Sequence, residues 1–268
     1  MPETYWLPLE IGSPVEADHL HAAFTRWFDA EEGESDPRKV PHGAIAKPYS
    51  LSMVGELDGT PGISVSVLSD DARGLFLERA AAGAPVRLGR QIVRTGRPRL
   101  TASASWGQLA GARYSTQWEV EFQTPTVFRT SGRPSILPTP SVVLRSPLEA
   151  WTAWSGVPLL AYDPVAVARS VRVEWAQIST VPVMAGRKSV PGMVGRVRYV
   201  SDDADVARGV SLLLGVAGFS GVGSYTARGL GTVEVTPVGT ASTGRARERG
   251  SGRGAAGEAT LSDVAAMG

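Results

Sequence analysis

The stretch Ala217-Gly-Phe-Ser-Gly-Val-Gly-Ser-Tyr-Thr-Ala-Arg-Gly-Leu-Gly231 places glycines at 218, 221, 223, 229 and 231, between an apolar helix-like segment and the strand-like Leu230 to Val235. So many glycines let the backbone take positive φ without a Cβ clash and let other groups approach it closely. The segment therefore reads as a shaped loop closing a helix-loop-strand unit. Arg228 and the loop's N–H groups make it hospitable to anions, although a glycine-rich turn carrying one solvated arginine is the plainer alternative. It is not a nucleotide-gripping loop, because no G-x-x-x-x-G-K-[ST] occurs and the dinucleotide spacing fails at Thr226. A phosphate backbone remains compatible with it.

Upstream, apolar periodicity switches between strand and helix. Thr4 to Ile11 reads as a strand, and Ser13-Pro14-Val15-Glu16 offers an N-cap, a proline at the first helical position and a capping-box glutamate. A helix is expected to start there, with Leu20, Phe24, Trp27 and Phe28 on one stripe facing a sheet. Ile63 to Leu68 alternates as a strand, Ser69 begins a capped helix running to Ala82 and ending at Gly83, and Val86 to Val93 is again strand-like. That is nearly a split β-α-β unit, the ferredoxin-like arrangement. In the second half Val171 to Ile178 and Val194 to Val200 alternate around a basic loop, Gly186 to Gly192. Asp202 or Asp203 can cap a helix to about Leu214, after which the glycine loop and a last strand complete the set. The expected fold class is α+β: two tandem ferredoxin-like (RRM-like) domains, residues 1–124 and 125–238, with the glycine-rich loop near the C-terminus. Residues 239–268 lose apolar periodicity and are expected to form a disordered basic tail.

Charge is unevenly placed. The net value is +1, yet residues 1–36 hold nine acids against the single base Arg26, which leaves +9 on the rest. Only Lys39, Lys47 and Lys188 are lysines; the other bases are arginines, whose planar forks pair with phosphate and stack on bases. A GC-rich coding bias would give the same excess. With no cysteine there is no disulfide framework, thiolate zinc site or catalytic thiol. Neither a long apolar run nor a secretory leader is visible, so a cytoplasmic protein without membrane contact is the default reading.

Several short motifs occur together. Phe122-Gln-Thr-Pro-Thr-Val-Phe-Arg129 is followed by Leu137-Pro-Thr-Pro-Ser-Val-Val-Leu-Arg145, a helix-like Pro147 to Trp154 and the terminal glycine loop. Ahead of them His42 is followed by Lys47-Pro48-Tyr49. In this order the motifs resemble the CRISPR-associated repeat-processing endoribonucleases of the RAMP superfamily, over most of residues 1–238. The resemblance implies a metal-independent endoribonuclease that needs no cofactor. It would bind CRISPR repeat RNA and cut the precursor to mature guides, leaving a 5′-hydroxyl and a 2′,3′-cyclic phosphate, and CRISPR effector subunits would be further partners. A non-catalytic RAMP subunit that only coats guide RNA is the alternative, and would not need His42 and Lys47.

RNA supplies its own nucleophile, the 2′-hydroxyl, so the protein need contribute only proton transfer, positioning and charge. Histidine suits the proton step because its ordinary pKa lies near working pH. There are three. His19 points away from the apolar stripe of the first helix and His21 sits at its edge, where packing is the simpler role. His42 lies on an expected loop beside Gly43, and by the resemblance it is the general base or acid, with Lys47 stabilising charge on the scissile phosphate. The tyrosine that some relatives carry on the first helix is missing, since none occurs between Tyr5 and Tyr49. For RNA binding the candidates are Arg129 and Arg133 after the Thr-Pro junction, Arg187 and Lys188 in the basic loop, and Arg228 with Gly221, Gly223, Gly229 and Gly231.

Overall fold

The computed structural model describes residues 1–159, 162–185 and 188–239. The expected tail, beyond its first residue, and Arg187 thus lie outside the described residues. The first half is built from β1 (Glu3–Pro8), α1 (Ala17–Phe28), β2 (Tyr49–Leu51), β3 (Thr60–Val67), α2 (Asp70–Arg79) and β4 (Arg99–Ser103). Its sheet runs β2-β3-β1-β4, every neighbouring pair antiparallel. The second half repeats the order with β5 (Gln117–Thr126), α3 (Pro140–Trp154), β6 (Val171–Ala185), β7 (Lys188–Ser201), α4 (Ala204–Ser220) and β8 (Val233–Pro237). Its sheet runs β6-β7-β5-β8, also antiparallel throughout.

The amphipathic stripe of α1 behaves as its spacing requires: Leu20, Phe24, Trp27 and Phe28 are all buried, in one core with Leu7, Tyr49, Val65 and Phe76. Burial of such side chains contributes about 1.5–3 kcal/mol each. A second core gathers Trp118, Val120 and Phe122 of β5, Trp151 of α3, and Val210 and Leu213 of α4. Because these β5 side chains belong to the second core, the expected divide at 124/125 falls inside a strand of the second sheet. The connection between the two sheets is residues 104–116.

Local expectations shift in four places. Helix α1 starts at Ala17 with Glu16 as N-cap, three residues past Ser13, and the Glu16 N–H donates to His19 Nδ1 at 3.3 Å. Val86 to Val93 is not one strand of the sheet but a separate hairpin, Pro85–Leu88 with Gln91–Arg94. The fourth sheet strand is β4, whose residues are all exposed and so leave no alternation to read. In the second half, most of the expected basic loop is strand: β7 begins at Lys188 and pairs with β6 up to Ala185. Helix α4 runs past Leu214 to Ser220, through Gly215 and Gly218, with Asp203 Oδ1 accepting from Asp205 and Val206 N–H groups. No described helix is long and apolar enough to cross a membrane.

Candidate active site

Helix α1 ends at Phe28, and the chain turns extended at Asp29, whose φ is −98° and whose N–H donates to Thr25 O. Asp29–Ala30 then pairs in parallel with Val40–Pro41, which brings the next residue, His42, back beside the helix end. There His42 Nδ1 lies 3.0 Å from Asp29 Oδ2. The same oxygen accepts a 2.6 Å hydrogen bond from Lys47 Nζ, which also donates to the carbonyls of Pro41 and His42 at 3.0 and 2.7 Å. The carboxylate is sunk, its side chain 2% exposed, whereas that of His42 is 63% exposed. Lys47 thus spends its three protons within the protein. It clamps the loop, and any action on a bound phosphate would be through its charge at short range.

His21 stands next to this cluster. Its ring centroid is 5.7 Å from that of His42, and its Nδ1 lies 3.0 Å from Thr25 Oγ1. Burial lowers its pKa below the ordinary histidine value, and the positive charge of Arg228 lowers it further. His21 and Lys47 form part of the wall of a cavity of about 320 Å³ between the two halves of the chain, together with Ser146 and Glu149 of α3 and residues 223–228 of the glycine loop. Glu149 is half-buried in that wall, and desolvation raises its carboxyl above the usual range. His42 lies beyond His21, facing an adjoining groove lined by Thr25, Arg26, Ala30, Glu31 and Glu32.

The glycine loop is shaped by contacts with its own chain. Gly231 has φ +73°, and a Cβ there would lie 2.0 Å from Val222 O; Gly229 has φ +89°, with Ser52 O at 2.9 Å from the same imagined atom. These two glycines let the loop close on itself and dock on the first half, and neither lines the cavity. Gly223 does, and its N–H donates to Ser146 Oγ at 2.8 Å. Gly221 ends α4 with φ +67° and borders a second cleft between the halves, about 830 Å³, lined by Ser50, Ser52, Ser64, Ser66 and Gln123 among others.

The expected arginines separate. Arg228 is held by Asp18 at 2.7 Å and lies 5.3 Å from the Tyr225 ring centre. Arg129 lies over the same ring at 5.6 Å and donates to the Tyr225 hydroxyl at 2.7 Å. Arg129 also borders a smaller recess that shares Ser146, Glu149, Gly223 and Ser224 with the main cavity. Arg133 and Lys188 are exposed, on the strand Arg133–Ser135 and at the start of β7, and neither lines the cavity. The structure therefore gathers His21, Lys47, Gly223 and Arg228 around one opening, with His42 in the adjoining groove and Arg129 beside it. Asp29 was not among the sequence candidates; the signal that could have found it is a carboxylate at the C-terminal end of a helix, against the helix dipole, a short acidic turn ahead of a histidine and a lysine. Among the described residues no group of three or more His, Asp or Glu side chains stands close enough to hold a metal ion.

The model of the CRISPR-associated endoribonuclease Cas6 matches residues 120–233. Across both halves the likeness is structural. A Cas6 product complex superposes with a TM-score of 0.74 at 25% identity, covering 88% of this chain and 99% of that one. The chain is thus similar to Cas6 in family pattern over residues 120–233 and in fold over both halves. A Thermus thermophilus Cas6 matches with a TM-score of 0.61 at 26% identity, covering 88% of this chain and 98% of its own. A histidine-to-alanine mutant of Cas6 gives 0.72 at 26% identity, over 88% and 98%. No curated protein sequence matches the chain. The Cas6 family match begins in β5 and ends at Val233, the first residue of β8, so it includes most of the second half and the glycine loop but not the loop bearing His42.

Proposed function

We propose that this chain is a Cas6 endoribonuclease that binds CRISPR repeat RNA and cuts the precursor transcript within the repeat, with the RNA crossing the cavity between the two halves. The observation that carries the reading is the pair of imidazoles, 5.7 Å apart, beside a cavity walled by the glycine loop. Two tandem ferredoxin-like domains meeting at residues 104–116 account for the repeated β-α-β-β-α-β order and the two like sheets. Similar Cas6 structures are product complexes, which supports a substrate that is bound and cut on this fold.

In this mechanism the RNA 2′-hydroxyl attacks the adjacent phosphorus. A neutral imidazole accepts the hydroxyl proton, the bond to the 5′-oxygen breaks, and that oxygen takes a proton from an imidazolium or from water. The products are a 2′,3′-cyclic phosphate and a 5′-hydroxyl. His42 is the principal proton-transfer group, because its ring is exposed and its Nε2 is turned away from the anchored Nδ1. His21, held neutral by burial and by Arg228, is the second group within reach. Lys47 and the glycine loop supply positive potential for the phosphate. Arg129, Arg133, Arg187, Lys188 and Arg228 guide the backbone by charge. No step calls for a metal ion. Incubation with repeat RNA in EDTA tests this: a 5′-hydroxyl product and a cyclic phosphate are expected, and RNA with a 2′-deoxy nucleotide at the cut should stay intact. Loss of cleavage in EDTA with recovery on adding magnesium would overturn the metal-free route.

A further inference from the structure

We infer that Asp29 is a positioning residue of this site, fixing through Oδ2 the tautomer and direction of the His42 imidazole so that Nε2 is the atom that exchanges a proton with RNA. The inference rests on the reading of His42 as the proton-transfer group. Asp29 occupies a costly place. Its carboxylate is almost fully buried at the C-terminal end of α1, where the helix dipole opposes negative charge. Its second oxygen, Oδ1, is buried without a hydrogen-bond partner, as is the neighbouring Tyr49 hydroxyl. Through Oδ2 the carboxylate gains two partners, His42 at 3.0 Å and Lys47 at 2.6 Å, and both belong to the loop of the proposed site.

An ionised carboxylate only accepts hydrogen bonds, so the proton of a neutral His42 ring sits on Nδ1 and the lone pair on Nε2. Once Nε2 takes a proton, the adjacent carboxylate stabilises the imidazolium. Lys47 completes the arrangement by pairing with Asp29 Oδ2 and by tying the carbonyls of Pro41 and His42 to the same point. The other charged or titratable groups facing His42 are His21 across the ring contact and Arg26, Glu31 and Glu32 around the groove.

Two measurements test the role. In the wild-type protein, ring nitrogen NMR at a pH where the imidazole is neutral should place the His42 proton on Nδ1, with resonances assigned from single His→Ala variants. Asp29→Asn should slow single-turnover cleavage of repeat RNA by about 10-fold or more, less than the ~10²- to 10⁴-fold expected for His42→Ala, while RNA affinity is unchanged. Its His42-dependent limb in the pH–rate profile should move to lower pH, and adding Asp29→Asn to His42→Ala should cost nothing further. A protein merely weakened in folding would lose amplitude without moving the limb. A wild-type proton on Nε2 overturns the inference, and this measurement decides alone should Asp29→Asn not fold. Asp29→Asn cutting at the wild-type rate beside an inert His42→Ala overturns it too. Full activity in His42→Ala removes the reading beneath it, a separate outcome, and the inference falls with it.

Discussion

The ring of His21 meets that of His42 at a centroid distance of 5.7 Å and an interplanar angle of 42°, although one ring belongs to α1 and the other to the loop that follows it. Two imidazoles so placed can divide the proton traffic of RNA cleavage, provided their protonation states differ. His42→Ala should therefore lose ~10²- to 10⁴-fold in single-turnover rate with repeat RNA affinity retained. His21→Ala should also be slower, while His19→Ala, altering only a helix cap and a contact with Gly89, should cut normally. Binding curves beside cleavage rates decide it, and full activity in both His42→Ala and His21→Ala would leave only an RNA-binding protein.

The lowered His21 pKa carries a stability consequence with a definite sign. Its folded value lies below the ordinary 6.5, so between the two values the unfolded chain binds more protons than the folded one. Stability then rises with pH through that window and falls as pH drops from about 6.5. Urea unfolding of wild type and His21→Ala from pH 5 to 8 should show a steeper acid loss in wild type. Parallel curves would mean the ring is not held neutral by its surroundings.

Gly231→Ala should destabilise the protein by roughly 1–3 kcal/mol from the backbone alone, and by more because its Cβ would fall 2.0 Å from Val222 O. Gly43→Ala is the control, for nothing lies within 4 Å of the added carbon. Denaturant midpoints compare them. Equal stability of the two variants would mean the glycine loop adapts freely.

Among the arginines two outcomes should differ. Arg129→Ala should weaken RNA binding and lower the slope of log affinity against log salt by about 0.7 for each lost single-strand phosphate contact. Arg228→Ala should lower thermal stability as well, because it releases Asp18 and one face of Tyr225. A salt titration and a melting curve on both variants check this. An unchanged slope in Arg129→Ala would move the RNA path away from the Tyr225 side of the loop.

How much of this was legible beforehand follows from the range of each interaction. The stripe of Leu20, Phe24, Trp27 and Phe28, the Ser69 and Asp203 caps, the alternation of Ile63 to Leu68 and the glycine run are local, and each is seen in the structure where its spacing put it. Strand β4 was missed because its exposed residues bury nothing and so carry no period. The glycines were expected to admit a ligand, but Gly229 and Gly231 admit the chain's own carbonyls, a distinction that depends on which backbone folds against them.

By itself the sequence determined the repeated helix and strand order and the residue types for proton transfer and charge, because propensity, capping and apolar period act over a few residues. Only the tertiary structure decided which of those groups work together. Asp29 and Lys47 are 18 residues apart, and Asp18 and Arg228 are 210 apart; no local pattern links them. A buried carboxylate must find its cations wherever the fold brings them, so the partners of His42 could be identified only once the first half had folded, and the partner of Arg228 only once the two halves had packed.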